Sequence, residues 1–399
     1  MKSTLTALLV FVTSLLSFFG CATRPETISR SNADVRCACQ RDDLPAKATG
    51  NLEKDLARTV HKLACGFGPR HIWNGRFSNL LATADWVSTE FRHMGFASVG
   101  IQEITVPKSL FPNHLPTDAV APNLEVEIKG ETGEIIVIGA HYDTFPLVGW
   151  AEERLPRPCE IGTPGADDNG SGVAAMLELA RHFQQRFKTG RPHRTLRFVA
   201  FVNEEPPLFR TSLMGSRQYA LRCKQSGENI VMMISTETMG FYRDHAKGKP
   251  WTWAHRCYMR FLGAPRGTDY VAFLTDDGSL PAARHAGALY AEHAEMPFVA
   301  SLASMKASPA GWGAEARFEK AARRRVPGDV LPVPSRRWSD DASFWQHGYP
   351  GFTVTDTAHA RNPHYHEATD YPKELNFKRL TEVVEGLKGM VEDLAQEQP

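Results

Sequence analysis

Residues 135–140, Ile-Ile-Val-Ile-Gly-Ala, are apolar at every position. A strand with one wet face alternates polar and apolar residues. An unbroken run suits a strand covered on both faces, the habit of parallel sheets sandwiched between helices. Strand-like stretches recur at 99–106, 124–128, 195–202, 230–234, 270–274 and 351–354. Helical spacing fills the gaps. Leu52, Leu56, Val60, Leu63 and Ala64 share one face, a second helix runs from Ser78 to a stop at Gly95, and others cover 172–187, 214–223, 280–290 and 378–394. This alternation predicts a three-layer α/β protein with a central, mostly parallel mixed sheet flanked by helices.

The N-terminus reads as an address. Lys2 precedes a nearly continuous apolar run from Leu5 to Phe19, shorter than the roughly 20 residues of a membrane span and suited to a signal peptide. Gly20-Cys21 at its end resembles the lipoprotein signal, whose cysteine is acylated. The expected organisation is a signal peptide at 1–20, a lipid-anchored or flexible tether at 21–50, and a folded domain at 51–399 with a surface excursion at 304–337. The expected location is the bacterial periplasm or the outer membrane, with Cys21 as the sole membrane attachment. A net charge of +1 supplies no field for nucleic acid, and no such partner is expected. Six cysteines besides Cys21 permit disulfides in an oxidising compartment. Cys37-Ala38-Cys39 lacks the companion pair that a structural zinc site requires.

The chemistry sits where strands end. His141-Tyr142-Asp143 follows the buried run directly, and residues two apart on a strand face the same way, so Asp143 is placed to orient His141. Gly165 to Gly172 is a glycine-rich turn holding Asp167 and Asp168 before a helix; capping explains one polar residue there but not the cluster. Asn203-Glu204-Glu205-Pro206-Pro207 ends another strand, since proline cannot continue a central ladder. Glu237 follows a further strand, and Pro363-His364-Tyr365-His366 precedes Asp370. Gathering Asp168, Glu205 and Glu237 in one place is costly through repulsion and lost hydration unless cations join them. Histidine with carboxylate suits zinc, and a bridging carboxylate suits a two-metal hydrolytic site.

In order and spacing the set resembles the co-catalytic di-zinc aminopeptidases, zinc exopeptidases related to glutaminyl cyclases and glutamate carboxypeptidase-like proteins. The resemblance spans residues 52–394. It implies the zinc-exopeptidase (phosphorylase/hydrolase-like) fold, two zinc ions per chain and a peptide substrate. It further implies that Asp168 bridges the ions, His141 and Glu237 complete one site, and Glu205 and His366 complete the other. Glu204 is then the general base and Asp143 the residue that orients His141. Glu237 stands where many relatives have aspartate, and Asp341 replaces a histidine frequent in similar sequences. The expected activity is release of N-terminal residues from peptides. The alternatives are glutaminyl cyclase-like acyl transfer and a catalytically inactive binding protein on the same fold.

Overall fold

The sheet follows the strand-by-strand expectation, with one added strand at Phe298–Leu302 and an earlier start, at Ala119, for the strand expected at 124–128. The structure, a computed structural model, describes residues 39, 44–73, 75–113, 115–146, 162–242, 270–302 and 339–398. The signal segment, Cys21, most of the tether and the excursion at 304–337 lie outside the described residues. Residues 41–399 form one unit and residues 1–40 another.

Eight strands make a single sheet: β1 (Gly100–Val106), β2 (Ala119–Ile128), β3 (Glu134–His141), β4 (Thr195–Phe201), β5 (Asn229–Thr236), β6 (Val271–Thr275), β7 (Phe298–Leu302) and β8 (Gly351–Thr355). Their spatial order is β1-β2-β4-β3-β5-β8-β6-β7. The central four, β4, β3, β5 and β8, are mutually parallel. The antiparallel pairings fall outside them, at β1–β2, β2–β4 and β6–β8. The described helices are α1 (Leu52–His61), α2 (Phe77–His93), α3 (Gly172–Arg186), α4 (Gly215–Gln225), α5 (Leu280–His293), α6 (Asp341–Trp345), α7 (Ala358–Arg361) and α8 (Phe377–Gln396).

The unbroken apolar run of β3 has the predicted cause. Ile136, Ile138 and Ala140 join the larger core with α1, α3 and α8, whereas Ile135 and Val137 face a second core built on Tyr219, Cys223 and Phe344. Both sides of the strand are therefore dry, and each buried Ile or Phe contributes about 1.5–3 kcal/mol. Close approach of α3 to the sheet requires glycine. A Cβ on Gly172 would sit 2.2 Å from the Thr236 carbonyl oxygen and 2.1 Å from Asn169 Oδ1. Of the described cysteines, Cys65 takes part in a disulfide, and Cys223 is a buried free thiol.

Candidate metal centre

Four parallel strands that end together place their following residues along one rim, the location that favours binding sites in open α/β sheets. His141 closes β3, Glu204 and Glu205 come three and four residues after β4, and Glu237 comes directly after β5. Asp168 lies in the loop that enters α3, and His366 lies in the turns after α7. These residues, far apart in sequence, converge. His141 Nε2 is 3.0 Å from Glu237 Oε2, 3.3 Å from Asp168 Oδ1 and 3.8 Å from Glu204 Oε2. His366 Nε2 is 3.1 Å from Asp168 Oδ2 and 3.7 Å from Glu205 Oε2. The two oxygens of Asp168 thus address two different histidines. His141, Asp168 and Glu205 each offer a ligand atom within 4.8 Å of the others.

The backbone at the rim is held in uncommon conformations. Asn203, immediately before the glutamates, Thr238, immediately after Glu237, and His366 itself have φ of 60°, 44° and 58°. Non-glycine residues there cost about 1–3 kcal/mol each, and such outliers gather at functional sites.

The surrounding groups explain how the rim is fixed. Asp143 lies 3.5 Å from His141 Nδ1, but its firmer contacts are to the glutamate loop, where it accepts from Glu204 N at 3.2 Å and Glu205 N at 3.0 Å. The orienting role expected toward His141 is therefore joined by anchorage of the glutamate pair. Asp370 accepts from Asp167 N and Asp168 N, and Asn169 donates to Glu237 Oε2 and to the Thr236 carbonyl. The His366 ring stacks at 4.0 Å on Phe145 and at 3.9 Å on Tyr365. Asp167 turns away from the cluster and accepts from Gly240 N and Asn362 Nδ2. His364 contacts Thr369 and Glu374. Asp341 accepts from Ala342 N, while its neighbour Asp340 is the one that feels the charges of His141 and Glu237.

Arg70 is the contributor that sequence reasoning missed. It is fully buried, and its guanidinium donates to the carbonyls of Tyr142 at 2.7 Å, Pro164 at 2.9 Å, Gly165 at 3.1 Å, Gly68 at 3.2 Å and Leu63 at 3.3 Å. It thereby ties the loop after β3 to the loop before Asp168. Burial pushes its pKa down to about 10, with Asp143, Asp370, Asp168 and Glu205 pulling the other way, so it stays charged at neutral pH. The Leu63 and Gly165 carbonyls also accept from Gly68 N and Gly170 N, so Arg70→Met would strand those of Tyr142, Pro164 and Gly68. A loss of about 3–5 kcal/mol is expected, as for a buried charge network losing one partner, read as a lowered urea midpoint. An unchanged midpoint would remove Arg70 from this role.

The electrostatics favour cations. Burial raises the carboxyls of Glu204, Glu205 and Glu237 above the ordinary range, despite His141. Burial also acts to raise Asp168, but the two histidines overcome it and hold that carboxyl below the ordinary range. Burial works against a charged His141, yet Glu237, Glu204, Asp143 and Asp168 together push its pKa well above the usual value. Asp168 Oδ1 and Glu205 Oε1 are buried without a hydrogen-bond partner, an arrangement that costs free energy unless an ion takes their lone pairs. Imidazole nitrogen and carboxylate oxygen at these separations fit divalent zinc.

Histidines and carboxylates gathered at the carboxyl rim of a helix-covered parallel sheet define a metal-dependent hydrolase of the α/β class. Residues 123–279 match the model of peptidase family M28. The chain is 30% identical over 345 residues to the uncharacterized protein YfbL of Escherichia coli K12, covering 86% of this chain and 89% of that one. It belongs to peptidase family M28. Leucine aminopeptidase 1 of Fusarium vanettenii is 23% identical over 359 residues, 89% of this chain and 74% of that protein. Among solved structures, the LapA aminopeptidase of Legionella pneumophila superposes with a TM-score of 0.57 at 17% identity, over 93% of this chain and 76% of that one. Fimbriiglobus ruber glutaminyl cyclase superposes with 0.54 at 16% identity, over 88% and 99%.

Proposed function

We propose that the protein is a zinc-dependent aminopeptidase that holds two zinc ions per chain and removes N-terminal residues from peptides. The observation that carries this reading is Asp168, whose two carboxylate oxygens face His141 and His366 separately. His141 and Glu237 would complete one ion's ligands, and Glu205 and His366 the other's. Membership of a peptidase family and the likeness to leucine aminopeptidase 1 support the choice of a peptide bond as substrate.

Bound zinc supplies Lewis acidity, which lowers the pKa of water to about 7 and polarises a carbonyl oxygen. The chain's own residues divide the remaining work. Glu204 is buried beside the ligands, with its carboxylate 3.8 Å from His141, and takes a proton from the attacking water. It returns that proton to the leaving amine, as a general base turned general acid. Asp143 holds Glu204 and Glu205 by their amide groups, so base and ligand keep a fixed separation.

Purified protein should contain close to two zinc ions per chain and hydrolyse aminoacyl anilides. A chelator should abolish that activity, and added zinc should restore it. A zinc-loaded sample inert toward a broad peptide panel would defeat the proposal. Cyclisation of glutamine-led peptides without hydrolysis of others would replace it with glutaminyl cyclase-like acyl transfer.

A further inference from the structure

The two histidines of the centre are held in different ways. A metal-ligating histidine ordinarily has its second ring nitrogen held by a carboxylate, a carbonyl or water. His141 approaches that pattern, with Asp143 3.5 Å from its Nδ1. His366 turns Nε2 toward Asp168 and Glu205, and among the described residues no group hydrogen-bonds its Nδ1.

What His366 has instead is a pair of aromatic faces. The Phe145 ring lies at 4.0 Å with a tilt of 7°, and the Tyr365 ring at 3.9 Å with a tilt of 18°. Two rings cannot both lie this close and parallel on one side of a third, so they cover opposite faces of the imidazole.

Both slabs are built into the loops of the centre. Phe145 ends the segment His141-Tyr142-Asp143-Thr144-Phe145 and is buried. Thr144 N donates to the Arg70 carbonyl at 2.9 Å, and the Phe145 carbonyl accepts from Thr163 N at 3.0 Å. Tyr365 belongs to the turns that carry His366, and both ends of those turns are tied to the Asp168 loop. Asn362 Nδ2 donates to Asp167 Oδ2 at 2.7 Å, and Asp370 accepts from Asp167 N at 2.9 Å and Asp168 N at 3.1 Å.

The faces of phenylalanine and tyrosine carry negative potential. An imidazole bound to a dication through Nε2 loses electron density to it, and its ring turns positive. Aromatic faces attract such a ring more than the neutral, metal-free one. The stack therefore favours the loaded state over the empty one, which is a gain in affinity as well as in stability.

Resting on the two-metal reading above, we propose that Phe145 and Tyr365 are positioning residues for the ion of Glu205 and His366. Acting through His366, they set its ring plane in place of a hydrogen bond at Nδ1 and favour its metal-bound form.

Zinc is withdrawn from the loaded protein by a chromophoric chelator, and the two binding constants are compared among variants. The constant lost in His366→Ala identifies the site in question. Phe145→Leu and Tyr365→Leu should each weaken that constant by about tenfold to a hundredfold, the usual effect of losing a ligand's outer partner. The other constant should change less, and Tyr365→Phe, which keeps the ring, should resemble wild type. Pentafluorophenylalanine at position 145 keeps the ring's shape closely and reverses its quadrupole. It should weaken the same constant by about threefold to thirtyfold, the range of a cation–π contact. In the His366→Ala background, Phe145→Leu should leave the remaining constant unchanged.

Unchanged constants in both leucine variants overturn the proposal. So does an equal fall at both sites, or a loss that persists without His366, because either outcome makes the rings general packing. A fluorinated protein that binds zinc like wild type overturns the electronic half of the claim. The predicted zinc pattern in a protein that hydrolyses no peptide sustains the aromatic sandwich and defeats the aminopeptidase reading.

Discussion

Glu204→Gln should keep its zinc and lose between about a hundredfold and ten-thousandfold in kcat, the usual contribution of a general acid–base group. The substitution is isosteric, so the packing around a buried side chain is conserved. Glutamine presents an amide where the reaction needs a proton acceptor. Asp143 holds this position through the backbone amide and not through the side chain, so that anchor survives the change. Metal content by plasma emission and steady-state rates on one aminoacyl anilide make the check. Turnover like that of wild type would take the role away from Glu204. Loss of metal along with turnover would make it a ligand instead.

Asp168→Ala should strip both ions at once, with affinity at each site weakened by at least about a hundredfold, since losing even an outer partner of a metal ligand costs tenfold to a hundredfold. The reason is the division of its oxygens between His141 and His366, which no other described residue reproduces. Glu205→Ala should weaken the site it shares with His366 more than the site of His141 and Glu237. Stepwise zinc titration with a chromophoric chelator distinguishes the two patterns. A protein that loses only one ion in Asp168→Ala has no shared carboxylate.

Much of this centre was legible before the fold was known, for a physical reason. Parallel strands buried on both faces are apolar throughout, so the first polar residue after each run marks the sheet's rim. His141 announces itself in this way, Glu204 and Glu237 follow within three residues of their apolar runs, and the central sheet is marked by the same contrast. The less regular parts hid where that contrast fails. β7, Phe298–Leu302, is a short strand on the sheet's edge and carries Ser301 within a weakly apolar stretch. The first half of β2 includes Pro122 and pairs only with the edge strand β1 there. Arg70 was invisible because a lone arginine in a loop ordinarily belongs to solvent. Its meaning comes from carbonyls up to 95 residues away. Asp370 was noticed as an acid after His366, but its hold on the Asp168 backbone spans 202 residues and no local pattern encodes it.

The centre would be tested most directly by anomalous diffraction at the zinc edge from crystals of the metal-loaded protein. Two peaks about 3.5–4 Å apart, with one oxygen of Asp168 against each, are the predicted result. A single peak, or two with Asp168 touching only one, would contradict the shared-carboxylate centre on which the peptidase account is built.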